Sequence, residues 1–186
     1  MLASGSGTNL QALIDTPGVR PHIRIVISDR PDSTALSRAA GAGIETAVVA
    51  WTDHESRESF CDALAAVIED ADVELTVLAG FMRILTPGFV NGQRGRIVNV
   101  HPSLLPAFPG MHAVAQALDH GLDKTGVTIH FVDEGVDTGP IIAQREVPIL
   151  ASDDEATLHA RIQVEEHRLL PSVVADLIAE GAEARV

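Results

Sequence analysis

An asparagine and a histidine near the middle of the chain have the types and the spacing for acyl chemistry. Asn99 and His101 end the apolar run Arg96–His101, which predicts a strand. Side chains two residues apart in a strand project from the same face, so the amide and the imidazole should lie side by side. An amide N–H can donate to an oxyanion and an imidazole can hold a proton, which suits attack on an acyl carbon. On these residues alone, a purely structural histidine is the open alternative.

Two segments that follow this pair could shape and charge such a site. The first, Pro102–Gly110, contains three prolines, which predict a fixed wall rather than a mobile lid. The second, Asp133–Pro140, is an acidic connection between two predicted strands, and its composition is also typical of a solvated turn. It lacks the D-x-D-x-D-G spacing of a calcium loop. A carboxylate from it, placed beside His101, would orient the imidazole and raise its proton affinity.

A covalent acyl-enzyme has little support in the sequence. No G-x-S-x-G nucleophile elbow is present, and the single cysteine, Cys61, falls within a predicted helix. Its neighbours at helical spacing are apolar, which predicts a buried structural thiol; they are Phe60, Leu64, Val67 and Ile68. Direct transfer between two substrates therefore fits better.

A glycine-rich turn near the start of the chain, Ser4–Leu10, leads into a predicted helix. Glycines let the backbone approach an anion closely, and free N–H groups supply donors. Thr8 and Asn9 add side-chain donors and are suitable helix caps. Leu10 replaces the third glycine of G-x-G-x-x-G and no Gly-Lys-Ser/Thr follows, so neither a dinucleotide fingerprint nor a P-loop is present. A monophosphate site and a simple capped turn are the two interpretations.

The last predicted helix, Asp154–Glu180, carries an acid among its apolar positions. Glu166 lies four residues after Ile162 and therefore on the buried stripe, whereas Glu165 points elsewhere. An acid that faces inward needs either a ligand or a structural partner. Pro171 lies inside the same helix, and its missing N–H predicts a kink or a restart there.

Alternating strand and helix patterns predict a Rossmann-like α/β fold, with an open, mostly parallel sheet flanked by helices. The predicted strands are His22–Ser28, Glu45–Val49, Leu75–Ala79, Arg96–His101, Gly126–Val132 and Pro140–Val147. The predicted helices are Asn9–Asp15, Ser33–Ala42, Arg57–Asp70, Ala113–His120 and Asp154–Glu180. The short Asp-Thr-Gly-Pro connection predicts an antiparallel C-terminal strand pair. Only three residues precede the glycine-rich turn, so we expect a truncated first strand and a native start that lies upstream.

Length and composition restrict the class of protein. The 186 residues fit a single domain, residues 1–186. Thirteen Lys and Arg against 26 Asp and Glu give a net charge of −13, which argues against nucleic-acid and anionic-membrane partners. One cysteine excludes an internal disulfide, and no apolar stretch approaches the ~20 residues of a membrane span. We therefore expect a soluble, cytoplasmic protein, with monomer and homodimer both open.

Several separate motifs together resemble a known family. NVHPSLLPAFPG (99–110) and GVTIHFVDEGVDTGPII (126–142) are similar to the formyltransferases that use 10-formyltetrahydrofolate. SGSGTNLQAL (4–13) and LAGFMRIL (78–85) resemble the phosphoribosylglycinamide formyltransferases of purine biosynthesis within that family. The resemblance runs from Ser4 to about Gly181, with the motifs in the family's order. It implies the formyltransferase fold, 10-formyltetrahydrofolate as co-substrate, glycinamide ribonucleotide as the formyl acceptor, and no metal.

The resemblance also implies roles for residues at matching positions. The catalytic residues would be Asn99, His101 and Asp137. The residues that contact the ribonucleotide would be Gly5, Ser6, Gly7, Thr8, Asn9, Arg57 and Glu166. The folate pocket would have two walls whose backbone groups contact the pterin, formed by Arg83, Ile84 and Leu85 and by Val132, Asp133, Glu134, Gly135 and Val136. Thr128 and His130 would flank the active site.

Alternative functions within and outside this family have distinct signatures. Methionyl-tRNA formyltransferase and formyltetrahydrofolate hydrolase resemble the same fold, but each usually carries a further domain, for which 186 residues leave no room. A non-catalytic folate- or nucleotide-binding module is disfavoured because all three catalytic residue types are present. A dinucleotide-dependent oxidoreductase is disfavoured by Leu10. Some relatives have Lys-Tyr where this chain has Ala107-Phe108, which removes one cation near the site.

Overall fold

Six strands and a short N-terminal segment form the central sheet of the computed structural model, which describes residues 1–181. The strands are β1 (Ile25–Ser28), β2 (Glu45–Val48), β3 (Thr76–Leu78), β4 (Ile97–His101), β5 (Lys124–Phe131) and β6 (Ile141–Pro148). β1 pairs in parallel with β2, and β3 with β4, whereas β5 pairs antiparallel with both β4 and β6. The mostly parallel sheet and the antiparallel C-terminal strand pair are therefore confirmed.

The segment Met1–Ala3 joins the two halves of the sheet. Leu2 forms parallel bridges to Ile27 of β1 and to Leu78 of β3. The backbone N–H of Ala79 donates to the carbonyl of Leu2 at 3.1 Å. The spatial order is therefore β2, β1, residues 1–3, β3, β4, β5 and β6. This central position brings the glycine-rich turn that follows to the carboxyl edge of the parallel strands, where ligands of open α/β sheets bind.

Within residues 1–181, five α-helices precede or connect the strands and a sixth follows β6: α1 (Thr8–Ile14), α2 (Thr34–Gly41), α3 (Arg57–Asp70), α4 (Pro87–Gly92), α5 (Ala113–Asp119) and α6 (Glu155–Glu180). The sequence pattern predicts five of them to within one residue at each end, but it misses α4, whose six residues include two glycines and a proline. Thr86 caps this helix by accepting from the N–H of Phe89. The first predicted strand begins too early, because residues 20–22 form a 3-10 turn.

Alternate side chains of the strands enter two apolar cores, one on each face of the sheet. In β1, Val26 packs with α1, α2, α5 and α6, whereas Ile25 and Ile27 pack with α3 and α4. Cys61 lies in the second core beside Phe60 and is 1% exposed, which confirms the predicted buried thiol. Because helices cover both faces, β1 and β3 are buried along their whole length, whereas β2 at the edge is mostly exposed.

The long helix α6 packs across the first face of the sheet. It begins with a capping box in which the Asp154 carboxylate accepts from the N–H of Thr157 at 2.8 Å. The helix continues through Pro171 to Glu180, so of the two predicted outcomes the restart is wrong, and the kink stays a prediction. Leu170 and Pro171 are both buried, and this packing offsets the backbone hydrogen bond that proline cannot make.

Candidate active site

Four polar side chains meet where β4 and β5 pair, and we call Asn99, His101, His130 and Asp137 the Asp137 cluster. The antiparallel register places Asn99 opposite His130. Asp137 enters from the connection between β5 and β6, with Oδ2 3.2 Å from His101 Nδ1. Its other oxygen, Oδ1, lies 3.2 Å from Asn99 Nδ2 and 3.4 Å from His130 Nε2. The structure thus brings the predicted asparagine and histidine to one face and supplies the carboxylate.

The carboxyl group of Asp137 is held in its ionised form. Burial would raise its pKa, but hydrogen bonds from His130 and the Gly110 N–H, together with the charges of His101 and His130, lower the pKa to about 2. The bond from the Gly110 N–H is 2.7 Å long. Asp137 has a φ of 55°, in the left-handed region that is uncommon for residues other than glycine. An uncommon conformation at this residue fits a position constrained by its partners.

Both ring nitrogens of His101 face hydrogen-bond acceptors. Nδ1 faces the Asp137 carboxylate, and Nε2 lies 2.8 Å from the carbonyl oxygen of Phe108. An acceptor on each side lets the ring donate from either nitrogen, and the two contacts together fix its orientation. The His101 side chain is only 6% exposed, which shields its interactions from solvent.

The side chain of Thr128 on β5 holds the proline-rich loop that follows His101. The Thr128 hydroxyl donates to the carbonyl of Ser103 at 2.6 Å and accepts from the N–H of Leu105 at 3.1 Å. Gln144 on β6 donates to Thr128 Oγ1 and to the carbonyl of Leu105, both at 2.9 Å. These bonds tie the loop to two strands, which agrees with a fixed wall and holds the backbone groups that contact the Asp137 cluster.

The acidic connection between β5 and β6 has a defined internal structure. The Asp133 carboxylate accepts from the N–H of Gly135 at 3.0 Å and from the hydroxyl of Thr138 at 2.7 Å. A Cβ at Gly139 would lie 1.9 Å from a backbone oxygen of β5, so only glycine allows the chain to return this closely. The connection is therefore folded so that Asp137 reaches the cluster, although Val136 beside it is 48% exposed.

The turn Ser4–Gly7, which we call the glycine loop, directs the carbonyl groups of Gly5 and Ser6 toward α2. The Gly5 carbonyl accepts from Ser33 Oγ at 2.9 Å and from the Ala35 N–H at 3.1 Å. The Ser6 carbonyl accepts from Arg38 Nε at 2.8 Å. The backbone N–H groups of residues 5–9 donate to no acceptor within residues 1–181. The loop thus presents consecutive free donors, an arrangement that binds anions.

Glycine is required at the last position of this loop. Gly7 has a φ of 69°, and a Cβ there would lie 2.8 Å from backbone and side-chain atoms of Ala35. Gly7 is also the N-cap residue of α1, and no side chain caps the helix. The predicted capping by Thr8 and Asn9 is therefore wrong, because both residues lie within the helix.

Asn9 instead contacts the acid on α6. Its Nδ2 donates to Glu166 Oε2 at 2.9 Å, and Glu166 is 5% exposed. This confirms the predicted inward orientation of Glu166, whereas Glu165 pairs with Arg168 at 2.6 Å. The Oδ1 atom of Asn9 is buried and has no hydrogen-bond partner within residues 1–181. Asn9 and Glu166 therefore form a polar pair with one acceptor unused.

The other predicted contact residues lie at the start of α3 and in the segment after β3. Arg57 is the first residue of α3, and its exposed side chain makes no hydrogen bond or ion pair within the described residues. Phe81–Thr86 has no regular secondary structure. The backbone groups of Arg83, Ile84 and Leu85 have no hydrogen-bond partner within residues 1–181.

Sequence reasoning missed several groups that shape the site. The Phe108 carbonyl and the Gly110 N–H contact the cluster as backbone atoms, and no residue type signals them. Arg38 contacts the glycine loop from α2, which the sequence analysis identifies only as a predicted helix. His130 was expected only to flank the site, yet it contacts Asp137. Pairing β4 with β5 by their alternating pattern would have shown that His130 lies opposite Asn99.

Two further properties concern the same described range. Within residues 1–181, no group of three or more His, Cys, Asp or Glu side chains is arranged to hold a metal ion. No helix in this part of the chain combines the length and the apolar character needed to cross a membrane.

Comparison with known proteins places the chain among formyl transferases. The sequence profile of the formyl transferase family matches residues 1–174. The phosphoribosylglycinamide formyltransferase of Mycobacterium tuberculosis is 46% identical over 182 residues, covering 97% of this chain and 85% of that protein. The trifunctional purine biosynthetic protein adenosine-3 of Drosophila pseudoobscura pseudoobscura is 50% identical over 191 residues. That match covers all of this chain but only 14% of the trifunctional protein.

Solved structures give the same relationship. The crystal structure of glycinamide ribonucleotide transformylase 1 from Symbiobacterium toebii is 46% identical, with a TM-score of 0.91. The match covers 96% of this chain and 85% of that one, which confirms the predicted formyltransferase fold. The chain belongs to the formyl transferase family and, within it, to the phosphoribosylglycinamide formyltransferases.

Proposed function

We propose that the chain transfers the formyl group of 10-formyltetrahydrofolate to the primary amine of glycinamide ribonucleotide. The products are formylglycinamide ribonucleotide and tetrahydrofolate, a step of purine biosynthesis. The observation that carries the proposal is the Asp137 cluster, in which a carboxylate, an amide and two imidazoles face one another. The names of the relatives support this choice of substrates.

In this reaction the amine attacks the formyl carbon, and the oxygen of the tetrahedral intermediate needs hydrogen-bond donors. His101 Nε2 donates to the Phe108 carbonyl and would exchange it for the substrate oxygen, since an anionic oxygen is the stronger acceptor. Asn99 Nδ2 lies 3.2 Å from both Asp137 Oδ1 and His130 Nε2. Both hydrogen bonds of the Asn99 amide are long, so the amide can exchange them for a shorter bond to the oxygen of the tetrahedral intermediate.

Asp137 acts mainly by holding His101. A carboxyl with a pKa of about 2 is ionised at neutral pH and is a weak base, poorly matched to direct proton abstraction from the amine. Its negative charge instead orients the imidazole of His101, so that Nε2 is directed toward the substrate oxygen. The new C–N bond forms first and gives the tetrahedral intermediate, and the bond from the formyl carbon to the folate nitrogen breaks when this intermediate collapses. The proton lost by the amine passes to that nitrogen, with a water beside Asp137 as the carrier.

The ribonucleotide is held at the other end of the site. Its phosphate accepts from the free N–H groups of Gly5, Ser6, Gly7, Thr8 and Asn9 in this proposal, with Arg57 as a nearby cation. Glu166 and the unused Oδ1 of Asn9 are acceptors for hydroxyl or amine hydrogens of the same substrate.

The folate is held by backbone groups. The unpaired N–H and C=O groups of Arg83, Ile84 and Leu85 form one wall, which suits the donors and acceptors of a pterin ring. The second wall comprises Val132, Asp133, Glu134, Gly135 and Val136.

We also propose that the chain acts as one domain in the cytoplasm. The two apolar cores pack on opposite faces of one continuous sheet, which includes residues 1–3. A shared sheet supports a single domain. The free Cys61 suits a reducing compartment. For oligomeric state, sedimentation of the purified chain across a concentration series distinguishes a monomer from a homodimer.

The experiment for the activity compares formyl acceptors. The purified chain is mixed with 10-formyltetrahydrofolate and with one of three additions: glycinamide ribonucleotide, methionyl-tRNA, or buffer that contains no formyl acceptor. Release of tetrahydrofolate should depend on glycinamide ribonucleotide, and formylglycinamide ribonucleotide should accumulate in equal amount. Release with buffer alone would instead show a hydrolase, and release that needs methionyl-tRNA would show a different transferase.

A further inference from the structure

The irregular segment Phe81–Thr86 makes few backbone hydrogen bonds to the rest of the protein. The N–H of Met82 donates to Ser4 Oγ at 2.8 Å, and the N–H of Thr86 meets Cys61 Sγ at 3.4 Å. Between them, no backbone group of residues 83–85 is bonded within residues 1–181. Phe81 stacks on Phe60 with ring centroids 6.4 Å apart, and Leu85 is buried in the second core. Between these two apolar contacts, the side chain of Arg83 is the polar attachment of the stretch to the rest of the protein.

A buried carboxylate holds that side chain. Asp29 follows β1 directly, and its side chain is fully buried, with Oδ2 2.6 Å from Arg83 Nε. The other oxygen, Oδ1, is buried and has no partner within the described residues, so Arg83 Nε is the one side-chain hydrogen-bond donor to this carboxylate within residues 1–181. A buried charge strongly favours the arrangement that keeps its partner in place. Asp29 thus anchors Arg83 from the interior.

An aromatic ring holds the same guanidinium from a second direction. Arg83 Cζ lies 4.7 Å from the centre of the Trp51 ring, within the range of a cation–π contact. Trp51 is braced by Phe60, whose ring meets it edge-on with centroids 5.1 Å apart. The backbone N–H of Trp51 also donates to the carbonyl of Asp29 at 3.2 Å. The two anchors are therefore linked to each other as well as to Arg83.

We propose that Asp29 and Trp51 are positioning residues for the formyl donor. They fix Arg83 and, through it, keep the unpaired backbone groups of residues 83–85 in the place where the pterin binds. The inference rests on the proposed function, because it takes this segment as a wall of the folate site. Neither residue touches the reacting atoms, so their loss weakens donor binding and leaves the chemical step intact.

The test measures kcat and both KM values for Asp29→Ala, Asp29→Asn and Trp51→Leu. We expect KM for 10-formyltetrahydrofolate to rise about tenfold in Asp29→Ala, because the backbone of roughly one more residue must then be ordered when the donor binds. Both kcat and KM for glycinamide ribonucleotide should stay within about twofold. Asp29→Asn keeps an acceptor for Arg83 Nε and should show a smaller rise. Asp32→Ala is the matched control, because it breaks an exposed pair with Arg30 nearby.

A double-mutant cycle separates positioning from a general loss of stability. If Asp29 acts through Arg83, then Asp29→Ala combined with Arg83→Met should cost no more donor affinity than Arg83→Met alone. Trp51 is the only tryptophan, so its fluorescence reports directly on release of Arg83 from the ring. We expect the emission to change in Asp29→Ala and not in Asp32→Ala.

Three results would overturn the inference. They are an unchanged donor KM in all three variants, an equal rise in both KM values, or additive costs in the cycle. If Asp29→Ala does not fold, Asp29→Asn and Trp51→Leu carry the same comparison. Failure of the proposed function is distinct, since the wild-type chain would then release no tetrahydrofolate when glycinamide ribonucleotide is added.

Discussion

The Asp137 cluster and the glycine loop both prepare for negative charge, but they do so in opposite ways. In the cluster, the carboxylate of Asp137 and both nitrogens of His101 already have protein partners. In the glycine loop, the carbonyl groups of Gly5 and Ser6 are bonded to α2 and its N-cap residue, while the N–H groups of residues 5–9 have no acceptor within residues 1–181. The Asp137 cluster must exchange hydrogen-bond partners when substrate binds, whereas the glycine loop can bind an anion without breaking a hydrogen bond.

This difference separates the groups that act in the chemical step from the groups that bind the ribonucleotide. Groups that stabilise a transient charge must be held in place before the reaction, which a closed network of hydrogen bonds achieves. Groups that bind a permanent charge gain most when they are free and lose little to desolvation. Substitutions in the cluster should therefore lower kcat, whereas substitutions in the loop should raise KM for the ribonucleotide.

The largest effect is expected from Asp137→Asn. The substitution keeps the shape but removes the charge that orients His101, so kcat should fall roughly 10²–10⁴-fold. Steady-state kinetics with both substrates measures the loss, and KM for glycinamide ribonucleotide should change by less than about threefold. Asp32→Asn, an exposed acid outside the site, is the control. Near-normal turnover in a folded Asp137→Asn protein would remove the cluster from the mechanism.

Gly7→Ala tests the glycine loop in the same assay. The left-handed φ of 69° and the contact of a Cβ with Ala35 should distort the loop, raising KM for the ribonucleotide about tenfold or more. Stability should fall by roughly 1–3 kcal/mol in urea titration for the same reason. Gly18→Ala serves as the control, because a Cβ there meets nothing within 4 Å. A fall in kcat without a rise in KM would contradict the division between the two regions.

The charge of Asp137 also makes a pH-dependent contribution to stability. Its pKa is lowered from 3.8 to about 2 in the fold, so the stabilisation is present above pH 3.8 and is lost as pH falls toward 2. For a side chain that is 11% exposed, the contribution is at most about 2 kcal/mol. Subtracting the unfolding free energy of Asp137→Asn from that of the wild type at each pH isolates it. A difference that stays constant from pH 7 to pH 2 would argue against an ionised, stabilised carboxylate.

The two regions also differ in how far the sequence predicts them. Asn99 and His101 are found by strand periodicity, because a spacing of two on β4 fixes a shared face. Glu166 is found by helical periodicity, since its place on the apolar stripe of α6 fixes its burial. In both cases, local geometry alone determines the orientation of the side chain.

Contacts made by backbone atoms or between distant segments escape such reasoning. The Phe108 carbonyl and the Gly110 N–H act through loop geometry, which residue types do not encode. Arg38 and Ser33 reach the glycine loop only because α2 packs beside α1, a tertiary fact. The assignment of Asp137 came from the family resemblance, because spacing alone does not say which acid of the connection turns inward.

The smallest expected effect comes from Ser33→Ala, which removes one of the two donors to the Gly5 carbonyl. The Ala35 N–H still holds that carbonyl, so the loop should loosen rather than rearrange. Loss of one such bond costs about 1 kcal/mol, which corresponds to roughly a fivefold rise in KM for the ribonucleotide with kcat unchanged. Ser37→Ala, an exposed position on the same helix, controls for the effect of the substitution on α2. If Ser33→Ala lowers kcat instead, then the loop contributes to the chemical step and the two regions are coupled.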